Sequence, residues 1–444
     1  MGFMVLDEAF DEWDYPKNKW IDGWNQTVAG HNGYPDIFEQ WGEKDLYSMV
    51  YRDKNHPSIV IWSIGNELDY NNDPYSDPTN INYSPDKPDG ARMVDIARKF
   101  VEIVKNVDTS RPVTMAIAVV PISNKLGVPE VLDIAGYNYT EQAYQDDHKQ
   151  YPERVIYGSE NSHNYSAWQI VKNNDFISGQ FLWTGVDYMG EARKFPSHAA
   201  TSGLLDLTSF EKPVYYWRQA MWSEKPMLYL TSRKVRATDQ KSVDPMSNLA
   251  GFLNSSDQNE HWNYTEGDSV LVMPFTNCNE VELFINGKSL GKKKSYPANS
   301  CIWWYVPYET GEVKAQAKGS DNKTLTAMLK KVSEPIKIVL TPDATKLKAN
   351  NQDITIVEVQ LHDKNNNRAL LANNLINFDI SGEGKIIGVD NGDASSLENY
   401  KLPKRMARFG RCIVIVQTTG KSGSIKLTAK SQGLPDALLE IVNE

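Results

Sequence analysis

The chain has 444 residues, with 47 lysine and arginine side chains against 57 aspartate and glutamate side chains, so its formal net charge is −10. At about 150 residues per domain, this length predicts about three domains. The acidic balance and the lack of a basic block argue against a nucleic-acid partner. No apolar run reaches the roughly 18 residues of a membrane helix, so we expect no membrane association.

The first 223 residues alternate short apolar runs with helical segments. Most of the runs are continuous, which is typical of parallel strands covered on both faces. Residues 91–107 place apolar side chains at three- and four-residue steps, and Pro213 suits the first turn of a further helix. Repeated strand–helix units predict a parallel sheet or a (β/α) barrel. The predicted strands are 3–6, 58–64, 113–120, 131–137, 155–157 and 179–183.

From residue 224 onward the pattern changes to β-structure. Residues 281–290 contain Asn286 and Gly287 between two apolar runs, which predicts a hairpin with a type I′ turn. Residues 354–361 alternate apolar and polar side chains, and 412–416 and 425–429 read as further strands. The polar stretch 231–258 reads as a long surface loop. We therefore predict three domains, a partial barrel and two β-sandwiches, at residues 1–223, 224–333 and 334–444.

Three cysteines, Cys278, Cys301 and Cys412, are too few for a disulfide framework and fit no metal-binding spacing. We expect buried free thiols, and only Cys278 and Cys301 could form a bridge.

Two glutamates each end a predicted strand. Glu67 closes the run 56–67 and Glu160 closes 155–160. The carboxyl ends of barrel strands meet on one face, where active sites are built. Two carboxylates there can flank a glycosidic bond, one protonating the leaving oxygen and the other attacking the anomeric carbon. A single strand-end glutamate is more often solvated or salt-bridged, so the hypothesis depends on the pair.

These segments resemble glycoside hydrolase family 2, which includes bacterial β-galactosidases, β-glucuronidases and β-mannosidases. HPSIVIWSIGNE at 56–67 is similar to the acid/base strand of the family, and GSE at 158–160 to its nucleophile strand. Residues 276–291 and 382–392 resemble the β-modules that follow the barrel in galactosidase-type members. Residues 2–8, 133–139 and 179–188 resemble barrel strands 3, 6 and 8. The resemblance implies strands 3–8 of a partial TIM barrel followed by two immunoglobulin-like sandwiches.

The resemblance also implies roles for individual residues. Glu67 would be the acid/base and Glu160 the nucleophile of a retaining double displacement. Asn66 would bind the sugar 2-hydroxyl, and Tyr139 would donate a hydrogen bond to Glu160. The remaining candidates for sugar contact are His163, Trp183 as an apolar platform, Asp7 and Asp187. Each of these could instead be structural, as barrel core, surface or loop residues.

The acid must stay protonated near neutrality, so we expect burial and the second carboxylate to raise the pKa of Glu67. The chemistry needs no metal ion or organic cofactor, and we predict none. The expected substrate is a β-galactoside or a related oligosaccharide, with β-glucuronides and β-mannosides as alternatives. The competing hypothesis is a non-catalytic module that binds carbohydrate or serves assembly.

Family members begin with a jelly-roll domain, an immunoglobulin-like domain and two barrel strands, whereas residues 2–8 here already resemble the third strand. We expect such a polypeptide to be poorly soluble, dependent on a partner fragment or inactive, because open strand edges and core would be exposed. The resemblance also allows a homo-oligomer, and a periplasmic or secreted location for a longer parent protein.

Overall fold

The computed structural model describes residues 2–15, 33–69, 89–192, 194–235, 259–295 and 301–444. The chain divides into two compact units, Met1–Trp183 and Thr184–Glu444. Among the helices that the structure describes, none combines the length and hydrophobicity needed to cross a lipid bilayer.

A six-stranded sheet forms the centre of the first unit. Its strands are β1 (Val5–Glu8), β2 (Ile59–Asn66), β3 (Val113–Ile117), β4 (Ile134–Asn138), β5 (Ile156–Asn161) and β6 (Ile177–Leu182). They lie in chain order, and each neighbouring pair is parallel. Parallel neighbours require crossovers, which the intervening helices supply. This half-barrel confirms the partial TIM barrel predicted from the sequence.

Helices cover the outer face of this sheet. They are α1 (Pro35–Asp53), α2 (Arg92–Val107), α3 (Val120–Leu126), α4 (Tyr144–Gln150) and α5 (Tyr165–Lys172), with short 3₁₀ turns at Pro129–Val131 and Glu141–Ala143. In α2 the fully or nearly buried side chains Met93, Ala97, Phe100 and Val104 recur every three or four residues. They pack with strand residues such as Trp62 and Met115 in one apolar core. The core lies between sheet and helices, so it leaves the other face of the sheet for polar side chains.

The second unit begins with short strands β7 (Tyr188–Met189) and β8 (Ala199–Ala200), followed by helix α6 (Pro213–Trp222). Pro213 occupies the first turn of α6, as predicted.

The first β-sandwich has one sheet of three strands and one of four. Its strands are β9 (Leu228–Lys234), β10 (Ser269–Thr276), β11 (Glu280–Ile285), β12 (Lys288–Lys294), β13 (Trp304–Pro307), β14 (Glu312–Lys318) and β15 (Thr324–Lys330). Asn286 and Gly287 have φ values of 50° and 80°, which confirms the type I′ hairpin between β11 and β12. The predicted loop at 231–258 is wrong at its start: Thr231 to Lys234 pair with β10, and Thr231 to Arg233 are buried. Residues 236–258 of that prediction lie outside the described part.

The second β-sandwich has one sheet of four strands and one of five. Its strands are β16 (Lys337–Pro342), β17 (Lys346–Leu347), β18 (Ile354–His362), β19 (Leu375–Gly382), β20 (Gly384–Asp390), β21 (Lys404–Met406), β22 (Arg411–Thr418), β23 (Gly423–Lys430) and β24 (Ala437–Asn443). In β18 every second residue from Thr355 to Leu361 is buried, which confirms the predicted alternation. The three cysteines are free and buried, as expected.

Candidate active site

The carboxyl ends of β2, β4 and β5 carry the two glutamates. Glu67 follows β2 directly, and its amide donates to the carbonyl of Ala116 in β3 at 2.8 Å. Tyr139 follows β4, and its amide donates to the carbonyl of Glu160 in β5 at 2.8 Å. Glu67 and Tyr139 both have positive φ, 51° and 52°. Left-handed backbone at non-glycine residues is strained, and such strain clusters at functional sites.

Asn138, the last residue of β4, binds three side chains of this group. Its amide nitrogen donates to Glu67 Oε1 at 3.1 Å and to Asn66 Oδ1 at 3.1 Å. Its amide oxygen accepts from Ser159 Oγ at 2.6 Å. Asn138 is 2% exposed, so these bonds are shielded from water and fix the orientation of the Glu67 carboxylate.

Tyr139, the next residue, holds the other carboxylate. Its hydroxyl donates to Glu160 Oε2 at 2.7 Å. Consecutive residues of one strand end therefore orient the two glutamates. This places Glu67 and Glu160 in one polar cluster.

Burial and the negative charge of Glu67 both change the pKa of Glu160. Burial, followed by the negative charge of Glu67, raises this pKa to about 8. Hydrogen bonds from Tyr139 and Asn138 act in the opposite direction, and the charge of Glu8 adds a smaller rise. Two carboxylates this strongly coupled retain one proton between them at neutral pH. The structure gives this rise for Glu160, and the rise that we expected for Glu67 stays a prediction.

Glu8 also belongs to this cluster. We did not predict Glu8 from the sequence and named its neighbour Asp7 instead. Glu8 Oε2 accepts from Ser63 Oγ of β2 at 2.6 Å, and its charge acts on Glu160. Successive strand residues point to opposite faces. Asp7 accordingly contacts Asp53 at the end of α1, and burial, followed by the charge of Asp53, raises its pKa. The structure therefore places Asp7 on the helix side of β1, away from the cluster, because the strand alternates.

The other candidates of the first unit lie near the same strand ends. Asn66 also donates to Asp11 Oδ1 at 3.0 Å. His163 is 5% exposed and lies in the segment after β5. Trp183 follows β6, its amide donates to the carbonyl of Asn161 at 3.2 Å, and its side chain is 38% exposed.

Asp187 lies in the second unit, where its contacts are structural. Its carboxylate accepts from Lys212 Nζ at 2.8 Å and from the amide of Gly203 at 2.8 Å. Gly203 is tightly enclosed, since a Cβ there would lie 2.2 Å from the Asp187 amide nitrogen. These bonds tie Asp187, just before β7, to the segment between β8 and α6.

Asp69 is a second residue that sequence reasoning missed. It is 1% exposed and accepts hydrogen bonds from the amides of Ala118 and Val119 and from Ser123 Oγ, each at 2.8 Å. These bonds tie the segment just after Glu67 to the start of α3. The sequence does show a carboxylate two residues beyond the strand-end glutamate. It gives no sign of the partners of this carboxylate, because they lie about fifty residues further along the chain.

The cluster can act as a pair of acids that share a proton while neighbouring groups fix their orientation. Within the described ranges, no group of three or more His, Cys, Asp or Glu residues is arranged to hold a metal ion. Enzymes that break glycosidic bonds use such a pair of carboxyl groups. One group donates a proton to the leaving oxygen, and the other either accepts a proton from water or attacks the anomeric carbon.

The chain is similar to known glycoside hydrolases. A family model described as the TIM barrel domain of glycosyl hydrolases family 2 matches residues 2–205. A second model, glycoside hydrolase family 2 C-terminal domain 5, matches residues 338–440. Between them, a model described as a domain of unknown function matches residues 267–326.

Curated relatives and solved structures agree with these matches. Beta-galactosidase BoGH2A of Bacteroides ovatus is 32% identical over an alignment that covers 100% of this chain and 55% of that protein. A putative beta-glucuronidase of Formosa agariphila is 25% identical, covering 88% of this chain and 38% of that protein. A solved glycosyl hydrolase family 2 member from Bacteroides cellulosilyticus superposes with a TM-score of 0.85 at 32% identity, covering 100% of this chain and 55% of the other. The chain thus spans about half the length, or less, of the curated relatives it matches.

Proposed function

Since the chain belongs to glycoside hydrolase family 2, we propose that it carries the catalytic residues of a retaining β-glycosidase. The proposed substrate is a terminal β-D-galactoside, with a β-glucuronide as the alternative. The observation that carries the proposal is the pair Glu67 and Glu160, oriented by the consecutive residues Asn138 and Tyr139.

In the first step, Glu160 attacks the anomeric carbon while Glu67 gives its proton to the leaving oxygen. The Glu160 pKa of about 8 means that the pair holds one proton at neutral pH. That proton must reside on Glu67 for attack, and the Tyr139 hydrogen bond favours this state by stabilising ionised Glu160. The products are a glycosyl ester at Glu160, a neutral aglycone and ionised Glu67.

In the second step, ionised Glu67 takes a proton from water as the water attacks the anomeric carbon. The C–O bond to Glu160 breaks, and the carboxylate leaves with the electron pair. Esterification of Glu160 has meanwhile removed its negative charge, so Glu67 no longer faces a neighbouring carboxylate. The starting protonation of the pair returns when the sugar departs with retained configuration.

Asn66 is the proposed partner of the sugar 2-hydroxyl, because its side chain is held by Asn138 and Asp11 beside the carboxylates. Trp183, with 38% of its surface exposed, is proposed as the apolar platform under the pyranose. His163 is a proposed additional contact to a hydroxyl. A contact from Asp187 to the sugar stays a prediction.

Galactose is favoured over glucuronic acid because a relative that is 32% identical to the chain is a beta-galactosidase, whereas beta-glucuronidases of Formosa agariphila and Bacteroides fragilis are 24–25% identical to it. Galactose and glucuronic acid differ at carbon 4, where the hydroxyl is axial in galactose and equatorial in glucuronic acid. They also differ at carbon 6, which is a hydroxymethyl group in galactose and a carboxylate in glucuronic acid. Paired substrates with the same aglycone therefore separate the two alternatives.

The test is covalent trapping of the intermediate. The protein is incubated with a 2-fluoro-β-galactoside or a 2-fluoro-β-glucuronide and then digested. The mass of the peptide that contains Glu160 is measured by mass spectrometry. We expect the galactosyl adduct on Glu160 and none in Glu160→Gln. The matched control is Glu153→Gln, which changes an exposed glutamate of the same unit and should label like the native chain. A folded sample that gives no adduct with either reagent contradicts the proposal, and a glucuronyl adduct alone corrects the substrate.

A further inference from the structure

A second cavity, of about 470 Å³, lies entirely within the second unit. The segment between β7 and α6 contributes Asp206 and Lys212, and the second sandwich contributes Arg368, Arg408, Phe409 and Arg411. Its volume falls in the range of small-molecule sites. Asp187, whose contact to the substrate stays a prediction, also lines the cavity, and the proposed catalytic mechanism uses none of the other side chains named here.

A tight turn places two arginines side by side at this cavity. Arg408 and Arg411 exchange both backbone hydrogen bonds, at 2.8 and 3.1 Å, so they lie directly opposite each other. Opposed residues project their side chains from the same face, and like charges so placed are destabilising. The turn therefore brings two cationic residues to one wall of the cavity.

Each of the two guanidinium groups stacks on an aromatic ring. Arg411 lies 3.7 Å from the ring centroid of Phe210, and Arg408 lies 4.8 Å from that of Phe409. Stacking occupies the flat face of a guanidinium and leaves its N–H edge able to donate in the plane. Arg408 uses one of these N–H groups on the carbonyl of Gly392, at 2.9 Å.

Neither arginine has a carboxylate within ion-pair distance in the part of the chain that the structure describes. Glu260 pairs with Arg368 at 2.7 Å, and Asp206 Oδ1 accepts three bonds from Thr208 and Phe210. The charges of Glu260 and Asp206 still act on Arg411 and partly offset its desolvation. Burial, and then the charge of Arg368, lowers the pKa of Arg411. Arg411 is thus a partly desolvated cation whose neighbouring carboxylates lie beyond ion-pair distance.

Phe409 adds an aromatic surface at the same place. Its side chain is 40% exposed, and its φ of 51° lies in the left-handed region that a phenylalanine adopts only under strain. Gly410 follows with φ of 71°, which completes a two-residue turn of the I′ kind. Phe409 thus presents a partly exposed ring beside the two arginines.

We propose that this cavity binds an acidic sugar residue of an oligosaccharide. The carboxylate or sulfate group of the sugar pairs with Arg408 and Arg411. The apolar face of the sugar ring packs on Phe409. Lining carboxylates such as Glu211 and Asp393 accept hydrogen bonds from sugar hydroxyls. The cavity is thus a second carbohydrate site, and its existence does not depend on catalysis at Glu67 and Glu160.

Isothermal titration of the full chain tests the proposal with three probes. The first is α-1,4-linked trigalacturonate, whose α-linkage a β-glycosidase does not consume. The second is its neutral counterpart, α-1,4-linked galactotriose, and the third is a sulfated galactobiose. We expect the chain to bind trigalacturonate, the sulfated galactobiose or both, and the probe that binds identifies the anionic group. The neutral galactotriose should bind at least tenfold more weakly. Equal affinity for the neutral probe, or no binding of either acidic probe at millimolar concentration, overturns the proposal.

Two variants localise the binding to the cavity. Arg411→Met should weaken binding of the acidic probe at least tenfold, since a charge-assisted hydrogen bond is lost. Phe409→Asn should weaken it about threefold or more while the thermal midpoint holds or rises, because asparagine tolerates left-handed backbone. The control Lys421→Met removes an exposed positive charge outside the cavity and should bind like the native chain. Unchanged affinity in both cavity variants, or an equal loss in the control, overturns the assignment.

Discussion

Replacing Glu160 by glutamine should make the barrel unit more stable, and the gain should grow with pH. The pKa of Glu160 is about 8 in the folded chain, against 4.5 for an ordinary glutamate, chiefly because of burial and then the charge of Glu67. The folded state therefore holds this proton more tightly than the unfolded state. The resulting stabilisation is complete below pH 4.5 and is lost as the pH rises through 8. Glutamine cannot ionise, so the Glu160→Gln variant does not lose stability in this way as the pH rises.

The size of the effect follows from the two pKa values. Each unit of difference between the two pKa values corresponds to about 1.4 kcal/mol. The native chain should therefore lose roughly 5 kcal/mol of its free energy of unfolding between acidic solution and pH 9. Relaxation around the charge reduces this figure, so we expect several kcal/mol. That is a large share of the 5–15 kcal/mol that typically stabilises a domain, which makes the difference measurable.

Amide hydrogen exchange in peptides from β4 and β5 reports on this unit alone. Native chain and Glu160→Gln are compared with each other at pH 5, 7 and 9, so that the intrinsic pH dependence of exchange cancels. We expect nearly equal protection at pH 5 and much greater protection of the variant at pH 9. The control Glu153→Gln should follow the native chain throughout. If Glu160→Gln shows the same advantage at all three pH values, the raised pKa of Glu160 is refuted.

Three further substitutions test the contacts around the pair. Tyr139→Phe removes a hydrogen bond that lowers the Glu160 pKa, so the alkaline limb of kcat/KM for an aryl β-galactoside should move to higher pH, and a limb that stays or falls contradicts this role. Asn138→Ala frees both Glu67 and Asn66, and should reduce kcat about a hundredfold with unchanged circular dichroism; a rate near that of the native chain argues against positioning. Asp69→Ala should cost roughly 1–3 kcal/mol in urea unfolding, because three buried donors lose their acceptor, and an unchanged midpoint argues against its anchoring role.

The sequence determined the fold class because periodicity and turn chemistry are local. Continuous apolar runs predicted the six parallel strands, and alternation predicted β18 within a sandwich. Asn286 and Gly287 predicted the hairpin from their tolerance of positive φ. The strand ends also carried Glu67 and Glu160, whose position depends only on where a strand stops.

Only the tertiary structure decided which side chains meet. The face on which a residue of β1 lies depends on register, so Glu8 rather than Asp7 joins the carboxylates. The contacts of Asn138 and Asp69 join residues about fifty to seventy positions apart, which no local pattern records. The pKa of Glu160 likewise depends on burial and on the charge of Glu67, ninety-three positions away. Long-range packing brings these groups together, and electrostatics in a buried cluster follow from distance in space rather than along the chain.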